Sequence, residues 1–123
     1  MPLAEALLRY NEGHPLAPIE ARRSPEGDLV LALSGELEMK ASTEIAPLLE
    51  AALLVCPSQG KIFLDLRRVG YISSTGVGLL ATTMVSAERR SIELVLLDVP
   101  SRVRSVMEVL GLISFFKVED SRV

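Results

Sequence analysis

The chain has 123 residues, enough for one domain, and 49% of them are hydrophobic, so a sizeable buried core is available to it. Thirteen basic against sixteen acidic side chains leave a net charge of −3 with no basic stripe interleaved with aromatics, which argues against nucleic acid as a partner. The single cysteine, Cys56, excludes an internal disulfide and any multi-cysteine metal site, and in an aliphatic neighbourhood it reads as a small core residue. No apolar run approaches the ~18 residues of a membrane span. No basic start leads into an apolar stretch either, so the expectation is a soluble, cytoplasmic protein with no direct membrane insertion. Aromatics make up only 4%, so the core must be aliphatic, as where helices pack on a buried, largely parallel sheet.

Leu3, Ala6, Leu7 and Tyr10 follow helical spacing until Gly13-His14-Pro15 stops the pattern, so a short helix is expected in an N-terminal extension over residues 1–16. A helix this short is marginal alone, and the extension is expected to be dispensable for the fold. His14 reads as a solvated loop residue. "APIEARR", the turn-forming "SPEGD" and "LVLALSG" together read as a β-hairpin. Ile45, Leu48, Leu49, Ala52 and Leu53 share one helical face, giving a helix over about 43–55 in which Pro47 should sit near the first turn or introduce a kink. "KIFLDL" is a short buried strand, followed by a short loop. Val77, Leu80, Ala81, Met84 and Val85 give a helix over about 75–89, "IELVLLD" a strand, and Val103, Val106, Met107 and Leu110 a helix over about 101–110 stopped by Gly111. "FFKVE" closes as a last strand. The core should include Val77, Leu80, Met84, Leu94, Leu96, Val106 and Leu110. The order implies an α/β fold: a mixed four- to five-stranded sheet, an antiparallel N-terminal hairpin plus parallel crossovers, packed against helices.

Three hydroxyls in a row, Ser73, Ser74 and Thr75, open the helix that follows "KIFLDL". In open α/β sheets the working sites lie beyond the carboxyl ends of strands. The first amides of a helix are unpaired and carry partial positive charge, a ready site for an anion. Gly76 and Gly78 leave the helix start bare for close approach of another protein. One hydroxyl could serve only as an N-cap. A nucleophile needs an adjacent base, and neither a Gly-x-Ser-x-Gly elbow nor a P-loop is present, so catalysis by this chain is not expected. Cap, nucleophile and phosphate-acceptor readings stay open on the residues alone.

The chain from Lys61 to Phe116 is similar to the STAS domain, and within it to the bacterial anti-sigma factor antagonists. The resemblance is carried by Asp65-Leu66, Tyr71-Ile72, Ser74-Thr75-Gly76-Val77-Gly78, Gly111-Leu112 and Phe115-Phe116. "SGELEMKASTEIAPLLEAAL" resembles the family's Gly-Glu-Leu-Asp segment and the helix after it. It spans roughly residues 17 to 119, making 17–123 the STAS domain. Members of that family are phosphorylated on the motif's first serine by a kinase that is also the anti-sigma factor, and a phosphatase reverses the step. The resemblance therefore implies Ser74 as the phosphorylation site, Ser73, Thr75, Gly76 and Gly78 as the surrounding loop and helix start, and Glu36 and Glu38 as flanks of the partner-binding surface. It implies an anti-sigma factor/serine kinase as partner, with a serine phosphatase, no cofactor and no catalysis. Ser73 and Glu38 each stand where the family pattern has Asp. Other STAS domains are scaffolds or subunits of transport or stressosome-type complexes, which is the alternative reading.

Overall fold

A computed structural model describes residues 1–121 of the chain. Within them the strands are β1 (Glu20–Arg23), β2 (Leu29–Leu37), β3 (Lys61–Ile72), β4 (Glu93–Leu97) and β5 (Val118–Glu119). The helices are α1 (Leu3–Gly13), α2 (Met39–Val55), α3 (Ser74–Arg89) and α4 (Ser101–Val109). The sheet order is β1-β2-β3-β4-β5, with β1 antiparallel to β2 and every other neighbour pair parallel. The hairpin turns at Gly27, whose φ of +91° suits glycine, and is closed by the Gly27 amide donating to the Ser24 carbonyl at 2.8 Å. Each crossover steps one strand in the same direction, so α2, α3 and α4 lie side by side on one face, with α1 against α2. Among the described residues the other face carries no helix. No helix among the described residues is long and apolar enough to cross a membrane.

Alternation places Leu29, Leu31 and Leu33 of β2, Ile62, Leu64 and Leu66 of β3, and Leu94 and Leu96 of β4 in one core with the helices. Val77, Leu80 and Met84 meet them from α3, and Val103 and Met107 from α4. Of the seven core positions expected, Val106 is half-buried and Leu110 is not in the core at all, being 41% exposed. The cause is the helix stop. Gly111 adopts φ +72°, its amide bonds the Glu108 carbonyl at 3.0 Å and the Leu112 amide bonds that of Met107 at 2.8 Å, a Schellman closure that turns the chain at Leu110.

Other departures from the sequence reading have equally local causes. Helix α2 begins four residues earlier than expected because Glu38 caps it, and Pro47 lies well inside it. Strand β3 continues through "RRVGYI" to Ile72, because that segment pairs with Ser34–Leu37 of β2 across two register shifts. The short loop expected after "KIFLDL" therefore does not exist. The final strand is only two residues, since Ile113–Phe115 forms a 3-10 turn that leaves Phe115 43% exposed and Phe116 buried. Cys56 is half-buried at the end of α2, against the edge of the core rather than inside it.

The N-terminal segment is a docked helix. Ala6 and Tyr10 are buried in the main core, and the Asn11 side chain pairs with both the amide and the carbonyl of Ile19, at 2.8 and 3.0 Å. His14 is not a free loop residue. Its ring stacks on Tyr10 at 3.9 Å, with Nδ1 2.8 Å from the Tyr10 carbonyl oxygen and Nε2 3.0 Å from Glu44 Oε1.

Candidate functional site

Strand β3 delivers the chain straight from Ile72 into the start of α3. Ser73 is the N-cap: its Oγ accepts from the Gly76 amide at 3.1 Å, satisfying one of the unpaired donors of the first turn. The same hydroxyl donates to the Leu37 carbonyl at 3.2 Å, and the Ser73 amide donates to that carbonyl at 3.0 Å. Ser42 Oγ, on α2, reaches it from the other side at 3.4 Å. The end of β2 thus ties the starts of α2 and α3 together.

Helix α2 begins alongside. Glu38 caps it, its carboxylate accepting from the Ala41 amide at 2.7 Å and the Lys40 amide at 3.3 Å. A glutamate reaches these amides with one more methylene than aspartate, and its negative charge suits the positive helix end. Two helix N-termini therefore sit side by side, one capped by a carboxylate and one by a neutral hydroxyl.

Ser74 and Thr75 are the first two residues of α3, and both are exposed. Among the described residues nothing hydrogen-bonds the Ser74 hydroxyl, and no base stands against it. The only histidine is held at the end of α1 by Tyr10 and Glu44. Burial pushes the Cys56 thiol up, which leaves little thiolate for nucleophilic chemistry at neutral pH. Ser73 is spent on capping, Ser74 is free.

The two glycines serve different ends. Gly76 is buried, and a Cβ there would meet Ile72 Cγ1 at 2.6 Å, the Leu37 oxygen at 2.8 Å and Ser42 Oγ at 3.2 Å. It is required inside, for α3 to close on β2 and α2, and does not bare a surface as the sequence reading had it. Gly78 has nothing within 4 Å of where its Cβ would lie and opens onto a groove of about 320 Å³ between α2 and α3, walled by Thr43, Ala46, Thr75, Leu79 and Thr82.

Glu36 is exposed and pairs in register with Tyr71. Tyr71, 47% exposed, lies three residues before Ser74, and Met39, 66% exposed, begins α2. These two large exposed side chains were not among the site residues expected from the sequence. Tyr71 was legible only as part of a motif, and Met39 only once Glu38 is known to be the cap.

The profile of the STAS domain matches residues 19–123. The chain belongs to the STAS domain family. This STAS domain is 33% identical over 99 residues to BtrV of Bordetella bronchiseptica, classed by name among the anti-sigma factor antagonists, covering 79% of this chain and 82% of BtrV. Its fold is similar to that of unphosphorylated SpoIIAA, an anti-sigma factor antagonist (TM-score 0.65, 25% identity, covering 84% of this chain and 87% of that one). Bacillus SpoIIAA has also been solved phosphorylated, and that form matches with TM-score 0.61 at 24% identity, covering 84% of this chain and 90% of that one. A sulfate transporter family protein from Wolinella succinogenes matches with TM-score 0.60 and 25% identity, covering 72% of this chain and 73% of that one. The mixed five-stranded sheet with its antiparallel opening pair is thus a SpoIIAA-like fold, as expected.

Proposed function

We propose that this STAS domain is a regulatory protein that binds an anti-sigma factor and is switched by phosphorylation of Ser74. The observation that carries the reading is the division of labour at α3: Ser73 closes the helix, while Ser74 stands exposed at its first position with an unengaged hydroxyl. The likeness to BtrV and SpoIIAA supports the same reading. The partner is an anti-sigma factor that is also a serine kinase, and a serine phosphatase resets the switch. Glu36, Glu38, Met39 and Tyr71 frame the surface that the partner covers, with Thr75 and Gly78 on the groove side. The chain has no catalytic role in the cycle and works in the cytoplasm.

A phosphate on Ser74 adds about −1.5 to −2 charges. At the first turn of α3 it meets unpaired amides and the positive helix end, so it does not unfold the helix. Toward a partner it adds that charge to an end of the domain that already carries Glu36 and Glu38, where repulsion and desolvation oppose docking. Incubation with cognate kinase and ATP, followed by phosphopeptide mass spectrometry, should place the phosphate on Ser74. Ser74→Asp should lose the anti-sigma partner while keeping its melting temperature, and Ser74→Ala should bind constitutively. Phosphate confined to Ser73 or Thr75 would refute the residue assignment.

A second reading has a specific basis. Ser73 stands where the family pattern has Asp, removing a charge from the switch, and a sulfate transporter family protein shares the fold. In that case the domain is an unphosphorylated scaffold or subunit of a transport or stressosome-type complex. Stable co-purification with such a complex, and no phosphate on Ser74 with any co-encoded kinase, would establish it.

A further inference from the structure

The helix-free face of the sheet carries a second feature, away from Ser74. Strand β2 presents Val30, Ala32 and Ser34 to this face, by alternation with the buried leucines. The small side chain of Ala32, flanked by β1 and β3, leaves a hollow of about 390 Å³. Its walls include Arg22 from β1, Arg67 and Arg68 from β3, and the carboxylates Glu20 and Asp65. In a chain of net charge −3, three guanidiniums around one hollow need a reason.

The three are not equally engaged. Arg67 is held: its Nη2 lies 3.2 Å from Asp98 Oδ2 and 3.6 Å from Asp65 Oδ2. Asp65, only 8% exposed, also accepts from the Arg67 amide at 3.0 Å. Arg68 has one contact, with Glu20 at 3.8 Å, between side chains 75% and 69% exposed, and so exposed a pair is worth little. Among the described residues Arg22 makes no ion pair or hydrogen bond with any side chain.

We infer that this hollow binds a small phosphorylated metabolite, its phosphate held by Arg22 and Arg68, which line the hollow from β1 and β3 while Glu20 and Asp65 stand in register on either side of Ala32. Guanidinium presents paired donors that match two phosphate oxygens at once. A carboxylate is the weaker candidate, because Arg68 already has one in reach and leaves it loosely paired. A doubly charged phosphate displaces Glu20 where a singly charged carboxylate does not. The volume lies within the range of small-molecule sites and leaves room for an organic moiety beside the phosphate. The hollow does not include Ser74, so a bound metabolite leaves that hydroxyl accessible, and this inference stands apart from the proposed switch.

Isothermal titration of the full chain with pyrophosphate and, separately, with a sugar phosphate tests it, using acetate at matched ionic strength as control. Saturable binding of at least one phosphate compound is expected, and none of acetate. Arg22→Ala and Arg68→Ala should each weaken it by about tenfold or more. Ala32→Leu, which intrudes on the floor of the hollow and keeps every arginine, should weaken it too. Arg9→Ala, on α1, should leave it unchanged. A sugar phosphate binding tighter than pyrophosphate would show that the organic moiety is also read, while equal binding would mean that the phosphate alone is. Lack of saturable binding, an affinity left unchanged by Arg22→Ala or Ala32→Leu, or an equal loss in Arg9→Ala would each overturn the site.

Discussion

Two glycines of α3, two residues apart, should respond to the same substitution with opposite signs. In Gly76→Ala the new methyl would lie 2.6 Å from Ile72 Cγ1 and 2.8 Å from the Leu37 carbonyl oxygen. The Ile72 side chain has little freedom to withdraw, being 1% exposed. The Leu37 carbonyl is backbone, and it already accepts from the Ser73 amide and hydroxyl and from Ser42. Relief therefore requires α3 to lift from the end of β2, which lengthens those bonds. Overpacking of this kind costs about 1–3 kcal/mol, and loosening the Ser73 bonds adds to it. Replacing glycine by alanine in a helix returns up to about 1 kcal/mol, so the net loss should be about 1–2 kcal/mol. Gly78→Ala meets open space and should gain about 0.5–1 kcal/mol. Urea unfolding followed by circular dichroism reads both. With a slope of about 1–3 kcal/mol per molar, the Gly76 variant should shift to a midpoint lower by about 0.3–2 M, and the Gly78 variant to a slightly higher one. A Gly76→Ala protein as stable as the parent would refute the close approach of α3 to β2. Gly78→Ala should also weaken partner docking if the groove is used, despite the stability gain.

Leu80 is 1% exposed beneath α3, so Leu80→Ala should cost about 2–5 kcal/mol; an unchanged denaturation midpoint would remove it from the core. Removing residues 1–16 takes Ala6 and Tyr10 out of the core but leaves the sheet and α2–α4 whole. The truncated chain should keep the parent's strand and helix content and melt at a lower temperature, whereas a chain unfolded by the truncation would make α1 indispensable. Hydrogen bonds from the Ser121 hydroxyl and amide, helped by Arg67, hold the Asp98 carboxyl below its ordinary value. Its contribution to stability is complete above the usual aspartate range, near ~4, and is lost as pH falls through the lower folded value. Asp98→Asn should therefore lower stability at neutral pH and flatten the acid loss of melting temperature between about pH 2 and 5, and an acid limb of unchanged steepness would count against the carboxylate.

Much of this protein is legible in short stretches of its sequence. The 3.6-residue spacing of Ile45, Leu48, Leu49 and Ala52, and of Val77, Leu80 and Met84, places two helices on the core, because a helix can bury only one face. Gly111 marks the end of α4, since only that position must adopt φ +72°. A run of hydroxyls before Gly76 announces a helix start open to an anion, while singling out Ser74 among them took the family resemblance. Each of these is decided within about two turns of chain. What the tertiary structure decided involves partners far apart in sequence. The length of β3 is set by β2, because "RRVGYI" has its alternation broken by two arginines and a glycine and becomes strand only through pairing with Ser34–Leu37. Gly76 and Gly78 look alike in the sequence, and only the Leu37 carbonyl, brought in by β2, makes one indispensable and leaves the other facing a groove. His14 acquires its place from Glu44, thirty residues on. The arginine hollow exists because strand pairing sets Arg22 of β1 opposite Val30 and Arg68 of β3 opposite Ser34, on either side of the Ala32 position that Glu20 and Asp65 flank, an arrangement that no local pattern encodes.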